Sequence, residues 1–437
     1  MDEGEDMPEN VVPLRAVKKK KFTPSLRTIG QILREAPELG AGTMFRLNEF
    51  SGQLLLMRPI PRPDVAAAGK HEVRDVMDVD ITHLIEWLDA HGGGHKISPE
   101  LVARAVYAEG HRNRFSTARE ALDRLPSWDG KYRIDKFFQD VCGAVGHEPG
   151  MDELESFKRQ RYLAAAARVL FYGIVARILR PGCKLDTVII LEGQQGTFKS
   201  TLLRVIAFDR EEWFSDSMVA DLKNKDARAH LRGKLIVELA EMSQIKGSRI
   251  ESMKAFLSAQ DDKYRPPYGK GEVTYRRQVT FIGTTNDSDY LVDMTGNRRF
   301  LPIACGKIDV DKARELMPQI YAEAITAFYK GEPWWLAADI EVLAEAEQRA
   351  RLTDDPWEKV VQVEIDARHR DAGGRGEVEF WVTSSDVLAA IGVPMERQDN
   401  AGQQRAGRLL AKMGGKRGKL PRGEGFPRRG YRFDVRR

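Results

Sequence analysis

The sequence predicts an α/β fold: a parallel-sheet nucleotide-binding core, a mostly helical region before it and a basic helix–helix–hairpin region after it. A continuous apolar run at 187–191 leads into a Gly-containing loop and then helical spacing at Leu202, Leu203, Val205 and Ile206. That is the strand–loop–helix order of a phosphate-binding element. Two further apolar runs, 234–237 and 278–283, each end in polar side chains, as strands do where they feed a crevice at the sheet edge. The tail is the third sign. In residues 401–437, twelve Lys/Arg face only Glu424 and Asp434, which is +10, so the other 400 residues carry −6 within a total of +4.

Of the 437 residues, 42% are hydrophobic and 31% charged, which excludes disorder throughout. Cys142, Cys183 and Cys305 form no CxxC pair, so a disulfide scaffold is not expected and a reducing, cytoplasmic setting is. The acidic start resembles neither a secretory signal nor a transit peptide.

Residues 1–25, with four lysines at 18–21, read as a disordered basic arm. Residues 26–130 read as an α+β accessory domain. Helical spacing at 80–88 and 99–107 places Thr82 and Ser98 as N-caps, and Asp78 and Asp80 as acids at a helix start. Residues 125–134 read as a compact turn with buried aromatics. From 131 to 357 a helical lead-in joins the core, whose nucleotide-binding part spans 183–305. The apolar stretch 164–179 contains Arg168 and Arg177 and reads as a buried helix, stopped by Pro181 and Gly182.

In the loop, Gly193 and Lys199 are six apart and Ser200 follows. Glycines let N–H groups wrap phosphate oxygens at a helix N-terminus. Lys199 is placed to neutralise β/γ phosphates, and Ser200 to offer its hydroxyl to Mg²⁺. Gly193, Gly196, Thr197, Lys199, Ser200 and Thr201 therefore form the expected ATP-binding set. Phe198 departs from the pattern, which usually has glycine before the lysine.

Glu238 closes the second strand and is assigned to the metal side, together with Ser200. Alternation of strand faces keeps Glu241 off the same face; it either polarises water from the next loop or caps the next helix. Asn286 follows the third strand and is suited to holding a lytic water. Arg298 and Arg299 come next, and one of them is expected to reach a neighbouring subunit's nucleotide.

The set GQQGTFKST, LIVELAE, TFIGTTN and GNRRF resembles the virulence-associated E family of superfamily-three helicase-like ATPases, found in phages, prophages and mobile islands. The resemblance runs from about 104 to 357. It implies an AAA-like P-loop NTPase core, a homo-oligomeric ring, commonly a hexamer, and ATP hydrolysis at subunit interfaces coupled to movement on DNA. Between the second and third strands, Gly269-Lys270-Gly271 reads as a hairpin tip, and the resemblance implies a hairpin in the ring channel. There Lys270 would grip single-stranded DNA, with Tyr268 stacking or bracing. Arg265 is expected to face the nucleotide or the subunit interface instead.

Residues 358–437 read as a basic winged-helix-like domain. Residues 380–391 pattern as strand, cap and helix, with Ser384 or Ser385 as N-cap, and 403–413 as a helix carrying Arg405, Arg408 and Lys412. A hairpin with Arg428 and Arg429 follows, suited to duplex DNA. The expected function is a DNA-dependent ATPase acting as a ring helicase or translocase in replication of a mobile element. The alternatives are an ATP-switched initiator or loader, and a DNA-binding regulator with a vestigial nucleotide site.

Overall fold

Ser25 starts the first helix, its Oγ accepting from Thr28 N at 3.1 Å to cap α1 (Leu26–Glu35). The computed structural model describes residues 21–61, 72–93, 97–146, 150–217, 225–240, 248–264, 272–287, 290–291, 297–352, 357–375, 378–419 and 429–435. The chain divides into two units, Met1–Ala350 and Arg351–Arg437.

In the first unit, α1 is followed by an antiparallel sheet of β1 (Phe45–Leu47), β2 (Leu54–Leu56) and β3 (Arg74–Asp75), then α2 (Asp78–Leu88) and α3 (Pro99–Arg112). Ile29, Leu33, Leu56, Leu84, Val102 and Val106 bury their side chains in one cluster. Helix α2 begins before Thr82, which lies inside it rather than at its cap. Its first turn is closed by Asp80, which accepts from Met77 N at 2.8 Å and pairs with Arg74 at 2.7 Å. Ser98 stands at the α3 cap position without a side-chain bond.

Helices α4 (Thr117–Asp123), α5 (Phe137–Asp140) and α6 (Glu153–Leu179) lead into the core. The turn at 125–134 does not bury its aromatics: Trp128 is half-buried and Tyr132 is 70% exposed. Polar latches hold the turn instead, Asp129 N to Gln319 Oε1 at 2.9 Å and Arg133 N to Glu323 Oε2 at 2.7 Å. By length and composition α6 could cross a membrane, yet it is largely buried in the fold. Its Arg177, 1% exposed, donates to the Arg277 and Leu185 carbonyls at 3.1 and 3.0 Å.

The core runs through β4 (Val188–Glu192), α7 (Lys199–Ile206), β5 (Phe214–Ser215), α8 (Lys225–His230), β6 (Ile236–Leu239) and α9 (Ser248–Leu257). It continues with β7 (Asp261–Tyr264), β8 (Val273–Arg276), β9 (Thr280–Thr285), β10 (Phe300–Ala304), α10 (Val310–Tyr329) and α11 (Ala338–Arg349). Five strands form one sheet in the order β10-β4-β9-β6-β5, parallel throughout. All five β4 residues are buried, as expected where both sheet faces are covered. Two strands start later than the apolar runs suggest. Lys234 still belongs to a turn, its N bonding Leu231 O at 3.2 Å, and β-branched Thr284 and Thr285 extend β9 beyond Gly283. Strands β7 and β8 pair antiparallel as a separate hairpin stem, Tyr264 opposite Val273.

The second unit comprises α12 (Glu358–Gly374), β11 (Glu379–Val382), α13 (Ser384–Ala390), α14 (Asn400–Lys412), β12 (Lys416–Lys419) and β13 (Arg429–Asp434). Its antiparallel sheet has the order β11-β13-β12. Val361, Phe380, Leu388, Leu409, Leu410 and Phe433 form its core. The cap of α13 is Thr383, not Ser384 or Ser385: its Oγ1 accepts from Asp386 N at 3.1 Å while Asp386 Oδ2 accepts from Thr383 N at 2.7 Å. The reciprocal bonds require a three-residue spacing, and Thr383 is the residue three before the carboxylate. Helix α14 starts at Asn400, earlier than 403, because Asp399 caps it through Gly402 N at 2.7 Å.

Candidate active site

β4 stops at Glu192, and the chain turns through 193–198 into α7, whose first residue is Lys199. Gly193, Gly196 and Phe198 have φ of +157°, +84° and +66°. A Cβ on Gly193 would meet Cys305 O at 3.2 Å, so a side chain there would have to push that carbonyl aside. Phe198 adopts the left-handed conformation that glycine favours, at a cost of about 1–2 kcal/mol for an L residue.

Lys199 Nζ donates to the Gly193 and Gln194 carbonyls at 2.6 and 2.9 Å and to Asn286 Oδ1 at 3.0 Å. Burial pulls its ammonium below the usual lysine value, while Cys305 and Glu238 oppose that shift. Ser200 Oγ donates to Glu238 Oε1 at 2.8 Å, and Thr284 Oγ1 donates to the same oxygen at 2.7 Å. Glu238 is 2% exposed, and its Oε2 is buried without a hydrogen-bond partner. A cavity of about 520 Å³ opens over these groups, lined by Gly196, Phe198, Lys199, Ser200, Glu238 and Asn286 among others. That size suits a nucleotide-scale ligand.

Mg²⁺ fits this donor set. A buried carboxylate oxygen left unpaired beside a hydroxyl is the oxygen chemistry that a hydrated Mg²⁺ takes from protein, and Ser200 and Glu238 would hold it. The arrangement can neutralise a triphosphate, through Lys199 and loop N–H groups, and orient a water at Asn286.

Seven sequence-derived site residues therefore converge here: Gly196, Thr197, Lys199, Ser200, Thr201, Asn286 and, from β6, Glu238. Gly193 sets the loop entry. Thr284 was missed as the second donor to Glu238, although the polar end of the β9 run was its signal. The bond from Tyr290 Oη to Glu192 Oε1, 2.7 Å, had no signal across 98 residues of sequence.

The paired arginines separate. Arg299 Nε donates to Ser258 Oγ at 3.1 Å and lies 3.8 Å from Asp186, whereas Arg298 is exposed. Glu241, Arg265, Tyr268, Lys270 and Arg428 lie outside the described residues, as does most of the 1–25 arm. The described base of the hairpin carries a buried pair of Arg277 with Asp262, Nε to Oδ2 3.0 Å.

In the second unit, Arg405 lies 4.0 Å over the Trp357 ring and Lys412 pairs with Glu358. Two of the three helix cations expected to face DNA are thus turned onto α12, because residues seven apart share one helix face. Arg408 is exposed. Arg429 is in β13.

The family model described as the virulence-associated protein E-like domain matches residues 122–353. Among solved structures, the apo C-terminal region of NrS-1 aligns with 92% of this chain and 98% of its own, at 12% identity and TM-score 0.47. An "SCCmec type IV Cch - active helicase" structure aligns over 90% and 97%, at 12% identity and TM-score 0.35. The JCV helicase aligns over 82% and 99%, at 12% identity and TM-score 0.27. No curated protein matches.

Proposed function

Because the chain belongs to the virulence-associated protein E-like family, we propose that it is a DNA-dependent ATPase, a ring helicase or translocase serving replication of a phage or mobile element. The convergence of Lys199, Ser200, Glu238 and Asn286 on one cavity carries this reading. Lys199 and the loop N–H groups bind the triphosphate, Asn286 orients water, and Ser200 with Glu238 holds the metal. Mg²⁺, when bound, supplies charge neutralisation at the β/γ phosphates. Exposed Arg298 is the residue offered to a neighbouring subunit, since Arg299 is engaged within its own chain. A head-to-tail interface that closes makes a ring, and we take a hexamer as its size.

Residues 358–437 act as a winged-helix DNA-binding domain in this proposal. The order helix, strand, helix, helix, strand, strand with sheet order β11-β13-β12 supports it, and α14 is the recognition helix. Lys270 grips the single strand in the channel.

A strand-displacement assay on wild type and Lys199→Ala tests the whole reading. Unwinding that needs ATP and disappears in the variant is expected. Hydrolysis without unwinding would point to an initiator or loader. The regulator reading draws on Phe198, the non-glycine residue in the loop; DNA binding indifferent to Lys199, with no hydrolysis, would favour it.

A further inference from the structure

The cavity over the phosphate loop is lined mainly by polar and charged residues. Hydroxyls of Ser200 and Thr284, the Glu238 carboxylate, the Lys199 ammonium and the Asn286 amide line it, and Ala240 adds only a methyl group. Phe198 is the exception. It is the one aromatic side chain lining the cavity among the described residues. It is 56% exposed, and no ring or cation stacks on it among the described residues. It is also held at φ +66°, ψ +24° as the residue capping α7, where glycine would be relaxed and an L side chain is strained. Strained positions of this kind persist where the surrounding structure enforces them, and they cluster at binding sites.

A nucleoside triphosphate has two ends of opposite chemistry. The triphosphate is matched by the ammonium and the loop N–H groups; the flat base needs an apolar face, and a ring with no partner supplies one. We propose that Phe198 is the nucleobase platform of this site, its exposed ring stacking on the base of the bound nucleotide. The proposal rests on the nucleotide-binding reading above and adds the residue that recognises the nucleoside half. Because every base has a π-face, the ring holds purine nucleotides without strong preference between adenine and guanine.

The test compares a ligand with a base and one without. Dissociation constants for a non-hydrolysable ATP analogue and for inorganic tripolyphosphate, each with Mg²⁺, are measured by calorimetry on wild type, Phe198→Gly and Phe198→Trp. Phe198→Gly keeps the backbone conformation and removes the ring. It is expected to weaken the ATP analogue about 5- to 100-fold while tripolyphosphate binds as well as before or better. Phe198→Trp is expected to retain the preference for the base-bearing ligand. If both ligands shift by one common factor in Phe198→Gly, or if that variant alters only the oligomeric state, the platform proposal is overturned while the nucleotide site stands. If wild type binds neither ligand, both fall.

Discussion

The Lys199 ammonium donates to the Asn286 carboxamide oxygen at 3.0 Å, joining the phosphate loop to the end of β9. The same cation donates to two loop carbonyls, and in the proposed nucleotide complex it exchanges these partners for phosphate oxygens. In that proposal Asn286 is released to hold water. Asn286→Ala is expected to lower kcat about 100-fold with KM changed only a few-fold, since losing one oriented polar group at a reacting centre costs about 10²–10³. Steady-state phosphate release measures both; a loss confined to KM would contradict it.

Glu238 buries one oxygen with two hydroxyl donors and one with none. An unpaired buried carboxylate oxygen is costly unless a cation meets it. Glu238→Gln keeps shape and an acceptor for Ser200 and Thr284 while removing the charge. The expected outcome is divided: Mg²⁺-dependent hydrolysis falls by at least about 10²-fold, but the metal-free melting temperature stays level or rises. Thermal melts with and without Mg²⁺ check this, because wild type should gain stability from the ion and the variant should not.

His230 gives a pH signature. Burial, followed by repulsion from Lys234, lowers its imidazole below the usual histidine value, with Ser215 Oγ at 2.8 Å from Nε2. The unfolded chain therefore takes up a proton near pH 6.5 that the folded chain resists. Stability contributed here is complete above pH 6.5 and declines as pH falls through that value toward the lowered one. Melting temperatures between pH 7.5 and 5 should fall more steeply for wild type than for His230→Gln.

How far the sequence alone reaches depends on the range of the interaction. The strand, loop and helix around Lys199 are local and obey spacing rules, so the residues that line the cavity could be read directly. The direction of a long side chain is not local. Arg405 and Lys412 have the same helical spacing whether they face DNA or α12, and only the fold places Trp357 and Glu358 beneath them. Arg298 and Arg299 are adjacent letters with opposite surroundings because Ser258 and Asp186 come from elsewhere in the chain. The tie from Tyr290 to Glu192 has the same origin.

That difference in direction separates the cations of α14. Arg408→Ala should weaken duplex binding and reduce the slope of log K against log salt by about one phosphate contact. Arg405→Ala should leave that slope unchanged and instead lower stability by about 0.5–1 kcal/mol through loss of the contact with Trp357. Salt titrations of DNA binding and melting curves on the two variants read both effects. Equal salt slopes for Arg405→Ala and Arg408→Ala would contradict the assignment.

Arg298 and Lys199 belong to opposite sides of the proposed interface, one exposed, the other buried in its own loop. Arg298→Ala alone should retain nucleotide binding and lose hydrolysis, and Lys199→Ala alone should lose both. Mixed in one ring, the two inactive chains rebuild complete sites wherever an intact Lys199 loop meets an intact Arg298. Random mixing in equal amounts makes about one interface in four of this kind. Hydrolysis should therefore return to about a quarter of wild type per chain after co-assembly. Arg299→Ala should behave differently: its partners Ser258 and Asp186 are in the same chain, so its deficit persists when it is mixed with Lys199→Ala. Recovery with Arg299→Ala and none with Arg298→Ala would reverse the roles of the two arginines.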